Sequence, residues 1–490
     1  MEAFDSTRDA ASQLIVAAIL VGVFALLAAD RVHRVLVPMG AVAVVWLISY
    51  FTPWRLISFE ASARAVDLNV ILLLAAMMAL VGVLKTTNVF PWMVDRVLVQ
   101  SRGQPNRALA FIVWFTGVLS ALLDNVTTVI FTYPMAASMA RRLGIASSAL
   151  LLPMVMAANI GGTATLIGDP PNVLIGADAR SGLSFLSFIE HLTVPCLLML
   201  VVLVWYSRRY YPVDPGHRAD VTPTGAPLVN VPLLRATCWI SGAILLGFLT
   251  HSLTHMPVAV PAVIGVTAVL FAQDYFYLKT HRPTAEERQH GVLDILEKDI
   301  EWPTLAFFLF LFILVGAAVA TGLIGTLAGA LAWLVDRIST DAGLSPRATL
   351  LVAALLILWV SGVLSALIDN IPYTAVTIPL VASLIERLNG GPEGQVLWWA
   401  LALGACLGGN GTLIGASANV TVTGLAEKDG QRISFAEFTA FGARVTAITL
   451  AMSSVYLALW LYVGSAPVNL AGAALLVALG VWRFAVKRPG

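Results

Sequence analysis

SALLDNVTTVIFTYP at residues 120–134 returns as SALIDNIPYTAVTIP at residues 365–379, at a constant offset of 245 (365 − 120 and 379 − 134). Each copy sets an Asp–Asn pair, Asp124–Asn125 and Asp369–Asn370, inside a long apolar run. The two runs, about 105–142 and 347–388, are too long for one membrane crossing of roughly 20 residues. Irregular backbone at membrane depth is tolerated only when it is buried in protein or lines a wet cavity. Each run is therefore predicted to be a re-entrant helical hairpin tipped by its Asp–Asn pair, with two ordinary crossings as the alternative.

Composition fixes the setting. Of 490 residues 59% are hydrophobic and 12% charged, and the mean hydropathy is +0.86. That is an all-α polytopic membrane protein. A net charge of +1 offers no basic field for nucleic acid. Cys196, Cys238 and Cys406 have no CxxC spacing and read as small buried residues, giving neither a disulfide framework nor a zinc site. The opening MEAFDSTRDAAS has no basic start or small-residue cleavage site, so the first apolar run is expected to stay as a membrane helix.

Eleven crossings are predicted, near 12–29, 34–51, 69–90, 147–177, 189–206, 235–252, 258–276, 303–325, 396–426, 441–463 and 468–485. With these spans, Arg31, Arg34, Arg96, Arg102, Arg107, Arg208, Arg209, Arg218, Arg483, Lys487 and Arg488 fall on one side, which should be cytoplasmic. The N-terminus is then external and the C-terminus cytoplasmic. A first half (1–206) and a second (235–490) are joined by a Pro-rich cytoplasmic linker, 207–234, and the charged stretch 279–301 is a second cytoplasmic loop.

The repetition extends well beyond the hairpins. GGTATLIGDPPN (161–172) matches GGNGTLIGASAN (408–419) at an offset of 247, LVG recurs at 80–82 and 314–316, and SFLSF (184–188) answers SFAEF (434–438). Helix 69–90 starts outside and its counterpart 303–325 inside, so the repeats are inverted, each with one hairpin (the first opening to the cytoplasm) and one broken helix. Inverted repeats place a site at their interface near the midplane. The breaks fall in 147–177 and 396–426, because Gly161, Gly162, Gly168, Pro170 and Pro171 cannot share a regular helix, nor can Gly408, Gly409, Gly411 and Gly415. Broken helices free carbonyls for a cation and N–H groups for an anion or a polar neutral solute, and Thr165, Asn172, Thr412 and Asn419 add side-chain ligands.

A carboxylate at membrane depth is costly and functional by default, so Asp124 and Asp369 are the proposed carriers of H+ or Na+, beside Asn125 and Asn370. N-capping of the second hairpin helix is the structural alternative, and both can hold together. Asp169 faces Ala416 across the repeat, so any role it has is asymmetric. Lys85 and Glu301 read as interfacial.

These motifs resemble the ion transporter superfamily, in the branch of arsenite permeases, NhaD-type antiporters and the melanosomal P protein, over nearly the whole chain; GACLGGNGTLIGASAN is closest to P-protein-like members. The resemblance implies two inverted repeats, often in a dimer, and cation and substrate binding at the tips and breaks. Residue by residue that carries to Asp124, Asn125, Thr127, Thr128, Asn159, Gly161, Thr165 and Asn172, and to Asp369, Asn370, Thr374, Asn410, Thr412, Ser417 and Asn419. Symporters of divalent anions in the same superfamily carry Ser-Asn-Thr at the tips, where this chain has Asp–Asn. Fixed carboxylates repel a dicarboxylate, whereas neutral arsenite trihydroxide suits Thr, Ser and Asn. The function expected is secondary active transport in a bacterial inner membrane, foremost proton-coupled efflux of arsenite or antimonite, with no cofactor. An arsenic ATPase partner is implied by the resemblance alone. A Na+/H+ antiporter is the alternative, and Na+-coupled carboxylate uptake or a passive channel stands behind it. No nucleophile–base pair marks an enzyme.

Overall fold

In the computed structural model residues 6–29, 32–33, 35–101, 103–212, 225, 227–254, 256–281 and 292–485 are described. Among them every regular element is helical. The 207–234 linker, the 279–301 loop and the C-terminal cluster of Lys487 and Arg488 lie partly or wholly outside these residues.

The first half runs α1 (Ala10–Ala29), α2 (Leu36–Phe51), the short α3 (Phe59–Ala65), α4 (Leu68–Thr86), α5 (Val89–Ser101), α6 (Pro105–Ser120), α7 (Asn125–Leu143), α8 (Ser148–Thr163), α9 (Pro170–Ala177) and α10 (Phe185–Tyr210). The second runs α11 (Val231–Thr254), α12 (Ala259–His281), a π-turn at Ile295–Asp299, α13 (Trp302–Ala320), α14 (Leu323–Asp341), α15 (Pro346–Leu367), α16 (Asn370–Arg387), α17 (Val396–Gly408), α18 (Ser417–Lys428), α19 (Phe435–Val463) and α20 (Ser465–Ala485). Thus α6–α7 and α15–α16 form the two hairpins, and α8–α9 and α17–α18 the two broken helices. Among the described residues nine helices are long and apolar enough to cross a membrane, α1, α4, α10 to α15 and α19, and α2, α8 and α20 are shorter apolar helices.

One boundary differs from expectation. The crossing placed at 303–325 ends at Ala320, and after Gly322, which takes a left-handed φ of 81°, a separate helix α14 begins. It buries Leu323, Ile324, Ala328, Val335 and Ser339 on one side only. The Arg387 guanidinium at the end of α16 donates to the Gly325 carbonyl (3.2 Å) and lies 3.6 Å from where a Gly329 Cβ would stand, so α14 runs across the mouth of the second hairpin. Between the crossing predicted to end at 90 and the hairpin run that starts at about 105, the chain forms the helix α5.

Local chemistry explains the repeated short motifs. Ser184 and Ser434, which open SFLSF and SFAEF, cap α10 and α19 by accepting from the N–H groups of Ser187 and Glu437. The LVG glycines are contact points between halves. A Cβ on Gly82 would meet Asp299 at 2.8 Å, and one on Gly316 would meet Ala65 at 2.6 Å. Each half thus lays the segment leading into its own first repeat helix against the first repeat helix of the other. Lys85 Nζ sits 3.0 Å from Asp299 Oδ1 at the end of α4, while Asn69 Oδ1 at its start accepts from the Ala259 N–H (2.9 Å).

These bonds sort the helix ends onto two faces. The ends of α4, α7 and α18 share a first face with Asp299; the ends of α9, α13 and α16 share the second with the start of α1, where Arg8 donates to the Ala320 carbonyl. Between the faces, α8 and α17 are buried on all sides, as an all-apolar helix in the middle of a bundle should be.

Candidate functional site

Glycines let the hairpins reach the breaks. A Cβ on Gly161 would lie 2.0 Å from the Gly117 carbonyl oxygen of α6, and one on Gly408 2.6 Å from that of Gly362 in α15. At the tips the approach repeats: Gly168 fits under the Ser120 carbonyl (2.4 Å from the absent Cβ) and Gly415 under that of Ser365 (3.0 Å). No other residue type tolerates backbone this close. Thr165 Oγ1 then donates to the Ala121 carbonyl at 2.6 Å, and Thr412 Oγ1 to that of Ala366.

Breaking α8 and α17 strands carbonyls that a regular helix would pair. Asn172, third residue of α9, turns its amide back to donate to the Thr163 (3.0 Å) and Thr165 (2.9 Å) carbonyls. Asn419, third residue of α18, does the same for Gly409 (2.7 Å) and Thr412 (2.9 Å). The donors of Thr165, Thr412, Asn172 and Asn419 therefore hold the breaks in shape, and what faces the centre is the amide oxygens of Asn172 and Asn419.

At the centre the tips and breaks of both repeats meet in one polar cluster. Asn125 Nδ2 donates to Asn159 Oδ1 (3.0 Å) and to Asp169 Oδ1 (3.1 Å). Asn159 Nδ2 continues across the repeat interface to Asn410 Oδ1 (2.9 Å) and Asn419 Oδ1 (3.1 Å). From the second tip, Asn370 Nδ2 reaches Asp169 Oδ1 at 3.3 Å. Asp169 is wholly buried, and so are Asn159, Asn172, Asn410 and Asn419. One carboxylate accordingly receives the leading amide of both hairpins.

The tip aspartates are placed differently. Asp124 Oδ1 accepts from the Thr127 N–H at 2.8 Å and Asp369 Oδ1 from the Ile371 N–H at 3.1 Å, so each caps the second helix of its hairpin. Asp369 Oδ2 also accepts from Ser417 Oγ at 2.7 Å, tying the second tip to α18. Thr374 donates to its own helix at Asn370 (2.7 Å), and Gly161 contributes room, not a ligand. Unspent hydrogen-bonding capacity remains around the cluster. Thr128 Oγ1, Ser120 Oγ and Asn410 Nδ2 are buried and make no hydrogen bond among the described residues.

Cys406 is the residue that reading the sequence passed over. Its thiol donates to Asn172 Oδ1 at 3.5 Å and is buried. The offset of 247 makes Cys406 the counterpart of Asn159 (406 − 247), as it makes Asn410 the counterpart of Thr163 and Ala416 that of Asp169. Subtracting the repeat offset across the whole break, rather than at its glycines alone, marks all three substitutions as the chemical asymmetry of the site.

Two hairpins and two broken helices meeting at a buried polar centre define a membrane transporter. The profile of the citrate transporter family, CitMHS, matches residues 24–404, and the chain belongs to that family. Among its relatives is a Mycobacterium tuberculosis protein described as "Uncharacterized transporter Rv2684", 37% identical over 448 residues, which cover 90% of this chain and 97% of that one. Human P protein is 30% identical over 506 residues, 90% of this chain and 59% of the P protein's own length. Among solved structures the Alcanivorax borkumensis YdaH transporter has the same fold at 15% identity, with a TM-score of 0.60 over 92% of this chain and 98% of that one. MtrF of Neisseria gonorrhoeae, described as belonging to a class of antimetabolite efflux pumps, follows at 11% identity and a TM-score of 0.53 over 92% and 94% of the two chains.

Proposed function

We propose that the protein is a cation-coupled secondary transporter in which Asp169 is the coupling carboxylate, and that its cargo is a small uncharged solute rich in hydroxyl groups, arsenite trihydroxide being the first to test. The observation that carries this reading is the position of Asp169: a fully buried acid accepting from Asn125 and Asn370, the first residues of the second helix in both hairpins. While charged, it is an acceptor for both tips. A proton turns one oxygen into a donor, and one of the amides must then turn or let go; Na+ would compete for the same oxygens. Ion binding is in this way coupled to the position of the hairpins, as alternating access requires.

The solute side rests on the neutral polar groups. Thr128, Ser120 and Asn410 hold unspent bonding capacity beside the cluster, and among the central residues there is no Arg or Lys to offset a polyanion. The family description favours a second reading, citrate, which at this site would have to arrive neutralised by a cation, because a free trianion beside Asp169 meets like charge at low dielectric. Following the Arg and Lys distribution, the first face, where α4, α7 and α18 end, is cytoplasmic.

Everted vesicles separate these readings. Arsenite accumulation driven by an imposed proton gradient should be abolished in Asp169→Asn and retained in Asp124→Asn and Asp369→Asn, since asparagine caps a helix as well as aspartate does. Gradient-driven uptake that survives Asp169→Asn refutes the coupling role. Labelled citrate moving only with a divalent cation would replace arsenite by the second reading, and Na+ alone collapsing the gradient would make the protein an antiporter.

A further inference from the structure

Positive charge gathers where α10 ends on the first face. Arg208 and Arg209 stand in its last turn, and Arg208 Nη2 donates to the Asn106 carbonyl in the first turn of α6 at 2.7 Å, with Arg107 the next residue. From α19, Arg444 lays its guanidinium over the Tyr210 ring, 5.5 Å from the centroid. Residues 105–111, 205–211 and 435–444, which meet here, hold these four arginines and one acid, Glu437. Among the described residues Arg107, Arg209 and Arg444 make no ion pair.

Helix length gives the depth of the cluster. Trp205 lies 20 residues after Phe185, the first of α10 (205 − 185), and Val463, the last of α19, lies 19 after Arg444 (463 − 444). At about 1.5 Å per residue both stretches span about 30 Å, the thickness of a bilayer's hydrocarbon core. Trp205, 62% exposed, stands where interfacial tryptophans collect. Arg209, one turn further along the same side, and Arg444 are both exposed and stand at the level of lipid phosphates. Their spacing is held by rings: Tyr206, Tyr210 and Tyr211 of α10 pack around the buried Phe441 of α19, with centroids 5.5, 5.1 and 5.7 Å from it. A guanidinium held against a ring keeps N–H groups for an oxyanion.

We propose that this corner binds the headgroup of an anionic phospholipid, its phosphate between Arg209 and Arg444 and its acyl chains beside Trp205. Charge complementarity selects the occupant: four arginines against one glutamate favour a lipid with net negative charge over a zwitterionic one, which brings a cation of its own. The site also backs the polar centre. Two residues before Arg444, a Cβ on Gly442 would lie 2.2 Å from the Asn410 carbonyl oxygen, and two after it Thr446 Oγ1 donates to the Leu407 carbonyl at 3.3 Å. A bound headgroup therefore steadies the stretch of α19 that supports the second break.

The inference depends on no solute and on neither orientation in the membrane, so it is tested in detergent. Delipidated protein is titrated with phosphatidylglycerol or with phosphatidylcholine of the same acyl chains, and the rise in melting temperature is followed. Phosphatidylglycerol should act at the lower mole fraction. Arg209→Gln and Arg444→Gln should each raise its midpoint by about fivefold and together erase the preference. The pair Arg209→Lys with Arg444→Lys, which keeps the charge, should retain most of it. Arg347→Gln, which removes an arginine paired with Glu393 elsewhere on the surface, should leave the midpoint unchanged. Equal midpoints for the two lipids in the parent, a glutamine pair that keeps the preference, or the same rise with free glycerol phosphate would overturn the assignment.

Discussion

Alanine at position 161 probes the contact on which the site is built. Its Cβ would stand 2.0 Å from the Gly117 carbonyl oxygen, where ordinary contact begins near 3.4 Å, so α6 and α8 have to separate by at least 1.4 Å (3.4 − 2.0). Backbone lies on both sides and cannot rotate out of the way. A separation of that size carries the 2.6 Å bond from Thr165 Oγ1 to the Ala121 carbonyl past hydrogen-bonding reach. Overpacking costs about 1–3 kcal/mol and the lost bond about 1 kcal/mol, so Gly161→Ala should be destabilised by about 2–4 kcal/mol. The shortfall at Gly408 is only 0.8 Å (3.4 − 2.6), and Gly408→Ala should lose less. Gly22→Ala is the control: its Cβ meets nothing within 4 Å, and alanine is the better helix former by about 1 kcal/mol. Melting of purified protein in detergent ranks the three. Gly161→Ala melting level with Gly22→Ala would refute the packing argument outright.

Burial raises the Asp67 carboxyl above its ordinary 3.8, against hydrogen bonds from Val70 and Asn69 that lower it, with Asp178 adding a smaller push upward. The folded protein then binds this proton more tightly than the unfolded one, so the contribution of Asp67 is greatest below pH 3.8 and is lost as pH rises through the folded value. Asp67→Asn, capping equally but not titrating, should equal the parent in acid and exceed it at neutral pH; melting curves showing the same margin at both pH values would contradict this. Thr165→Val should cost about 1–3 kcal/mol by leaving the Ala121 carbonyl unpaired, read by the same melting assay. Lys85→Ala, removing an ion pair whose lysine is 60% exposed, should change stability by no more than about 1 kcal/mol, and a larger loss would show that Asp299 depends on it.

The hairpins and breaks were legible because their signals are local. An Asp–Asn pair in an apolar run and glycines in a crossing each violate the rules for a regular membrane helix, and repetition at 245 and 247 confirms that the violation is meant. What escaped was relational. α14 is the least apolar of the nine helices long enough to cross a membrane, buries a single side, and follows α13 with only Thr321 and Gly322 between. At the centre, the sequence offered three acids without ranking them by contact. Asp124 and Asp369 stand first in the motif, yet one oxygen of each caps its own helix and the other oxygen of Asp369 accepts from Ser417, whereas Asp169, beside two prolines that suggest a plain turn, is where both tip amides converge. Distance between repeats, not residue type, decides this, and only the folded chain supplies it.

The exchange of lead-in segments at Gly82 and Gly316 also bears on how the chain is made. α4 finds its packing partners in α12 and in the turn at Asp299, and 172 residues, 87 to 258, separate its end from the start of α12. At roughly 5–20 residues per second, α4 waits about 9–35 s after synthesis before its neighbour is made. During that interval the first half cannot reach its final form, however complete its own sequence. The two halves are copies in design, yet the packing of α4 is completed only by residues of the half made later.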